Sequence, residues 1–280
     1  MQSAPKALSQ FSAIFPVAGS QVGSRGAYIQ AALDDMSRFL LSQSTVSATL
    51  CIVVNGRRDE VMSIDWIDAA WEAVILIQLS GQDKIDAVNT GIEWARTAGF
   101  QSLCVVDNDI RIPVRTLDAM TSRFVETAGL LPVTCDKYPL VPTDATMFQR
   151  SYSRFALVLL EHKLIQNWRP TGSLYFLNLN QFDRFPSGCN EGDYLYLRGF
   201  HHTWEKVYSE YPRELNTELA RRGRLAAASA RLDFEREMQS PEAFVDWFAH
   251  GPTQDLVRQA GAQKGMLLFG SALGLGVLEL

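Results

Sequence analysis

Three near-continuous apolar runs constrain this chain most: residues 48–54 (ATLCIVV), 74–80 (VILIQLS) and 102–106 (SLCVV). A strand with one wet face alternates apolar and polar residues, whereas runs like these are buried on both faces. Between them the apolar residues change period. Ile29, Leu33, Met36 and Leu40, and later Ile85, Val88, Ile92 and Ala95, recur at intervals of three and four, which predicts helices. An earlier run, 12–17 (SAIFPV), predicts a first strand, and a short helix is expected over 64–73. Asn55-Gly56 stops the second strand, and the second long helix should end before Gly99. Doubly buried strands alternating with helices imply an α/β fold with a mainly parallel sheet and helices on both sides.

The second half is less regular. Strands are expected over 129–135 and 172–179, with a helix over 148–164 between them. Residues 204–238 are rich in Ala, Glu and Arg and lack strand patterning, and Ser240-Pro241 suits the start of another helix. The expected organisation is a main domain over 1–203 and a helical C-terminal extension over 204–280. The apolar, glycine-rich stretch 265–280 (GMLLFGSALGLGVLEL) is too short and too interrupted for a membrane span. It is expected to pack as a terminal element, the alternative being a peripheral membrane or subunit contact.

A net charge of -5 argues against a nucleic-acid partner, so any anionic ligand needs a local basic patch or a metal. The four cysteines are widely spaced with no C-x-x-C pair, and no signal-peptide pattern opens the chain. A cytoplasmic setting is the expectation.

The fourth apolar strand ends in VVDND. Ligands of parallel sheets bind beyond the carboxyl ends of the strands. Residues two apart in an extended segment face the same way, so Asp107 and Asp109 could offer hard oxygen ligands to one Mg²⁺ or Mn²⁺. An ordinary solvated turn gives the same letters. Lys84, at the start of the preceding helix, is a surface lysine or a phosphate contact.

The segment 81–110 (GQDKIDAVNTGIEWARTAGFQSLCVVDNDI) resembles the central part of family 2 glycosyltransferases with the GT-A fold. There a helix reading roughly K-x-x-A-x-N-x-G leads into a strand ending in D-x-D. Lys84, Ala87, Asn89 and Gly91 match the helix, and Asp107 and Asp109 match the D-x-D. Residues 12–19 resemble the family's opening strand, and 50–60 its second strand, although the first acidic pair of that turn is missing. Residues 171–178 sit where an acceptor-site strand is found, and 190–200 (NEGDYLYLRGF) resemble the E-D-x-x-L-x-x-R segment that carries the catalytic base.

The resemblance implies a metal-dependent, inverting transfer of one sugar from a nucleotide-diphosphate sugar to an acceptor hydroxyl. Pro16, Val17, Ala18, Asn55, Asp59, Lys84, Asn89, Asp107 and Asn108 would bind the donor. Thr171, Gly172 and Arg198 would face the acceptor. Asp107 and Asp109 would hold the metal, with His201 or His202 completing its shell. In the last motif Gly192 stands where the base aspartate belongs, which leaves Asp193 or Glu191 for that role. Gln166, Asn167, Trp168 and Arg169 carry the letters of a processive motif in the wrong order, hence a single transfer. Two other readings remain open. One is a nucleotidyltransferase whose loop of Gly19, Gly23, Arg25 and Gly26 cradles a triphosphate. The other is a GT-A-like protein that binds a nucleotide sugar without turning it over.

Overall fold

The computed structural model describes residues 8–18, 22–44, 46–56, 70–80, 83–161, 170–211 and 213–216. In chain order the elements are β1 (Gln10–Ala18), α1 (Val22–Ser42), β2 (Ser47–Asn55), β3 (Ala73–Leu79), α2 (Lys84–Thr97), β4 (Ser102–Val106) and β5 (Ile110–Arg111), then α3 (Val114–Glu126), β6 (Val133–Leu140), α4 (Met147–Glu161), β7 (Leu174–Asn178), α5 (Glu191–Arg198) and β8 (His201–Glu210). The strands form one sheet in the order β3-β2-β1-β4-β7-β6-β8-β5. Strands β1 to β4 are mutually parallel, whereas β7 runs antiparallel to β4 and β6. The expected α/β fold is therefore present, with a parallel first half. The chain divides into two compact units, Met1–Lys137 with Trp168–Ser209, and Tyr138–Asn167 with Glu210–Leu280.

The doubly apolar strands bury both faces for an identifiable reason. On one face Phe11, Phe15 and Val17 of β1 share a core with Ile29, Met36 and Phe39 of α1 and Leu117, Met120 and Phe124 of α3. On the other, α2 lies so close to β1 that a Cβ at Gly91 would fall 2.5 Å from Ile14 Cδ1. The buried face of α2, which includes Ile85, Val88, Ile92 and Ala95, is the one its periodicity predicts. Asp83 caps that helix by accepting the Asp86 N–H at 3.0 Å, and Gly99, with φ +86°, turns the chain out of it.

Four segments differ from expectation. Residues 129–131 are not strand: Ala128 and Gly129, with φ of 52° and 61°, form the turn after α3, and β6 runs on through Asp136 and Lys137 to Leu140. The stretch from 204 begins as strand, because β8 extends to Glu210 with Thr203, Val207 and Ser209 buried. Its alternation is masked by the polar residues that do the burying. Helix α3 is an addition to the expected elements, with buried Leu117, Met120 and Phe124 at intervals of three and four, and Glu191–Arg198 forms a helix, α5. Most of the helix expected over 64–73, the rest of the C-terminal extension and the apolar tail lie outside the described residues. No helix among the described residues is long and apolar enough to cross a membrane.

The strand that leaves the D-x-D turn is held by one buried carboxylate. Asp35 of α1 accepts Arg111 Nε and a second guanidinium nitrogen at 2.8 and 2.9 Å, the Ile112 N–H at 2.8 Å, and a contact from Arg38. The hydrogen bonds to Asp35 hold the Arg111 guanidinium above its ordinary pKa. Asp35→Ala should lower unfolding free energy by about 1–3 kcal/mol, the cost of a buried amide left without a partner. Urea unfolding with an unchanged m-value is the check.

Candidate active site

The carboxyl end of β4 is pinned from two sides. The Asp107 N–H donates to Ser173 O at 2.7 Å, just before β7, and Asn108 Nδ2 donates to Pro16 O of β1 at 3.0 Å. The turn 107–109 is thus fixed above the switch between the two neighbours of β4, where crevices form in such sheets. The side chain of Asp107 is 18% exposed, so its carboxylate sits at a rim rather than in bulk water.

Lys84, the first residue of α2, reaches across this rim. Its Nζ lies 2.5 Å from Asp107 Oδ1, pairs with Glu191 Oε2, and donates to Gly172 O at 3.2 Å. Burial alone would push the ammonium down, but Asp107 and Glu191 outweigh it and hold the pKa above lysine's ordinary value. Lys84 therefore stays charged. The positive end of the α2 dipole points the same way, which favours anions here.

Glu191 is the first residue of α5, whose N-cap Asn190 accepts the Gly192 N–H at 2.9 Å. Its Oε1 accepts the Tyr175 hydroxyl at 2.5 Å. Burial raises the Glu191 pKa; Lys84 pulls it down and Asp107 pushes it up, leaving it above the usual carboxylate range. Burial also holds the Tyr175 phenol protonated as the donor. Residue 172 explains how Glu191 gets so close: a Cβ on Gly172 would lie 3.0 Å from Glu191 Cβ. A Cβ on Gly192 would meet Pro170 O at 2.6 Å. The glycine at the expected aspartate position is thus demanded by packing. Asp193, the next residue, is fully buried.

The arrangement of strands has parallels among solved structures. No family model matches the chain, and no curated protein is similar enough to be matched. A mannosyltransferase from Pyrobaculum calidifontis, solved with GDP-Man and Mn²⁺, superposes at TM-score 0.55 with 16% identity, over 98% of this chain and 82% of that one. TarS 1-349 from S. aureus, in complex with UDP, gives 0.50 at 15% identity over 87% and 73%. Glucosyl-3-phosphoglycerate synthase from Mycobacterium tuberculosis, with Mn²⁺, UDP and glucosyl-3-phosphoglycerate, gives 0.51 at 13% over 81% and 82%. This chain has the GT-A glycosyltransferase fold.

Within the GT-A fold some expected residues meet and others do not. Lys84, Asp107, Glu191 and Gly172 converge; Asn108 touches Pro16; and Thr171 Oγ1 accepts the Ser173 N–H at 3.2 Å beside them. Val17 and Ala18 end β1 on the same edge. Asn55, at the end of β2, donates to Asp83 O at 2.9 Å, and its buried Oδ1 has no hydrogen-bond partner among the described residues. Asp59 lies outside the described residues.

Asn89 is instead a structural clamp. It donates to Phe185 O and accepts the Phe185 N–H, each at 2.9 Å, so both ends of its amide are used. Arg198, expected on the acceptor side, donates to Gln181 O at 3.2 Å and lies over the rings of Phe182 and Tyr194. Gln181 follows the Asn178 end of β7, which pairs with Ser102 at the start of β4, so Arg198 belongs to the opposite edge. His201 and His202 point to opposite faces of β8, as alternation requires. His201 is lowered in pKa by burial and by Arg123, while His202 Nε2 lies 2.9 Å from Asp136 Oδ1. Among the described residues no group of three His, Cys, Asp or Glu side chains comes together to hold a metal. Tyr175 was not anticipated, although a tyrosine within an apolar strand signals a buried hydroxyl seeking a partner.

Gly192→Ala should destabilise the protein by about 1–3 kcal/mol, because the new methyl meets a backbone carbonyl that cannot rotate away. Urea unfolding of this variant beside Gly26→Ala, where a Cβ meets nothing within 4 Å, isolates the clash.

Proposed function

We propose that this protein is a metal-dependent, inverting glycosyltransferase that moves one sugar from a nucleotide-diphosphate sugar to an acceptor hydroxyl. The observation that carries the reading is the convergence of Lys84, Asp107 and Glu191 at the carboxyl edge of β4. It gathers a cation for the diphosphate, a carboxylate for the metal and a buried carboxylate for the proton. Three of the solved proteins it is similar to, two of them named as a mannosyltransferase and a synthase in complex with Mn²⁺, support the same reading.

Asp107 and Asp109 suit a hard divalent ion held by one or two carboxylates, with substrate phosphates filling out its shell. Mn²⁺ or Mg²⁺ bound there supplies positive charge against the departing diphosphate. The orphaned Asn55 Oδ1 offers an acceptor to an N–H of the nucleotide base. Thr171 and Gly172 back the acceptor, and Glu191, rather than Asp193, takes the proton from its hydroxyl. Tyr175 holds the Glu191 carboxylate in orientation. Four free, buried cysteines fit a cytoplasmic setting, and burial holds the Cys51 and Cys189 thiols up at about 12.

A thermal-shift panel of UDP-, GDP- and dTDP-sugars with and without Mn²⁺ should show stabilisation by one base class that needs the metal. Asp109→Asn should abolish that metal-dependent shift, and its survival in the variant would sink the assignment. Glu191→Gln should lower kcat about 100- to 10,000-fold while donor binding persists. A general base works only when ionised, so activity should fall as pH drops through the raised Glu191 pKa, at a midpoint above that of an ordinary glutamate. A rate that is flat across that range, or an active Glu191→Gln protein, would remove Glu191 from the role.

A further inference from the structure

We propose that Lys84 couples metal binding to diphosphate binding, by neutralising the Asp107 carboxylate through Oδ1 until an anionic diphosphate draws its ammonium away. The inference rests on the metal and donor site assigned above and adds an order to it. An ammonium has three N–H donors. Those of Lys84 have three acceptors in the structure: Asp107 Oδ1, Glu191 Oε2 and Gly172 O. Lys84 cannot contact a phosphate without giving one of them up.

The partner it must release for a metal is Asp107. Its Nζ already stands 2.5 Å from Oδ1, and a second cation on that oxygen would sit within a few ångströms of the first, where like charges repel. A metal arriving alone therefore competes with Lys84. A diphosphate reverses the competition, because its charged oxygens offer the ammonium a new partner and the metal a further ligand. The side chain can make that exchange: it is 39% exposed, on a flexible four-carbon stem. By linkage, whatever the diphosphate adds to metal affinity the metal returns to diphosphate affinity.

The test is Mn²⁺ binding to the full chain, read from the paramagnetic resonance signal of free Mn²⁺, with no nucleotide and with saturating UDP or GDP in separate arms. The parent protein should bind Mn²⁺ at least about 10-fold tighter with the diphosphate it accepts. Lys84→Met should bind Mn²⁺ alone about 10-fold tighter than the parent and gain little from nucleotide, while Lys84→Arg keeps the parent's pattern. Lys84→Gln serves as a second neutral variant should Lys84→Met not fold. Equal Mn²⁺ affinity in the parent with and without both nucleotides overturns the proposal, as does a folded neutral variant that binds Mn²⁺ alone no better than the parent. The double variant Asp107→Asn with Asp109→Asn separates this from the site assignment: unchanged Mn²⁺ binding in that variant means the metal is not held by the D-x-D turn at all.

Discussion

One ammonium group organises this site. Asp107 and Glu191 both bear carboxylates at a partly dry rim, and two negative charges held there without a cation would repel each other and the backbone carbonyl of Gly172. Lys84 meets all three. Because it is the first residue of α2, the same contact ties the start of that helix to the end of β4, the approach to β7 and the first turn of α5. Burying such a pair contributes little net stability, since desolvation offsets the attraction, but removing one partner is costly. Its value lies in fixing where the charges stand.

The geometry around the ammonium depends on two places where a side chain has no room. Gly172 lets the Glu191 side chain lie against the backbone before β7, and Gly192 lets the first turn of α5 lie against the Pro170 carbonyl. These approaches bring the start of β7 and the carboxylate-bearing helix together. They also account for the glycine at position 192: it is a steric consequence of how α5 docks, and Glu191 already stands in the charged cluster.

Legibility followed the physics of each residue. Asp107 was readable because a carboxylate at the end of an apolar strand stands out against its surroundings, whereas Lys84 and Glu191 were singled out by the resemblance of the segments around them. Asn89 and Arg198 matched a pattern of letters equally well, yet Asn89 spends both amide ends on the Phe185 backbone and Arg198 lies over two aromatic rings at the opposite edge. An amide or guanidinium has several equivalent uses, and only its neighbours choose among them. Strand β8 was hidden for a related reason. Its inward positions include Thr203 and Ser209, so hydrogen bonding rather than apolar character makes them buried, and periodicity in hydropathy does not register it.

The sequence by itself determined the parallel half of the sheet, since runs such as 48–54 and 102–106 can be buried on both faces only between layers of helix. It also determined that two carboxylates would stand at the end of β4. Tertiary structure decided what those carboxylates meet. The pairing of Asp107 with Lys84, the choice of Glu191 over Asp193 at the cluster and the pairing of His202 with Asp136 depend on contacts between residues far apart in the chain. Local periodicity reports which face of an element is buried. It carries no information about which distant group that face will meet.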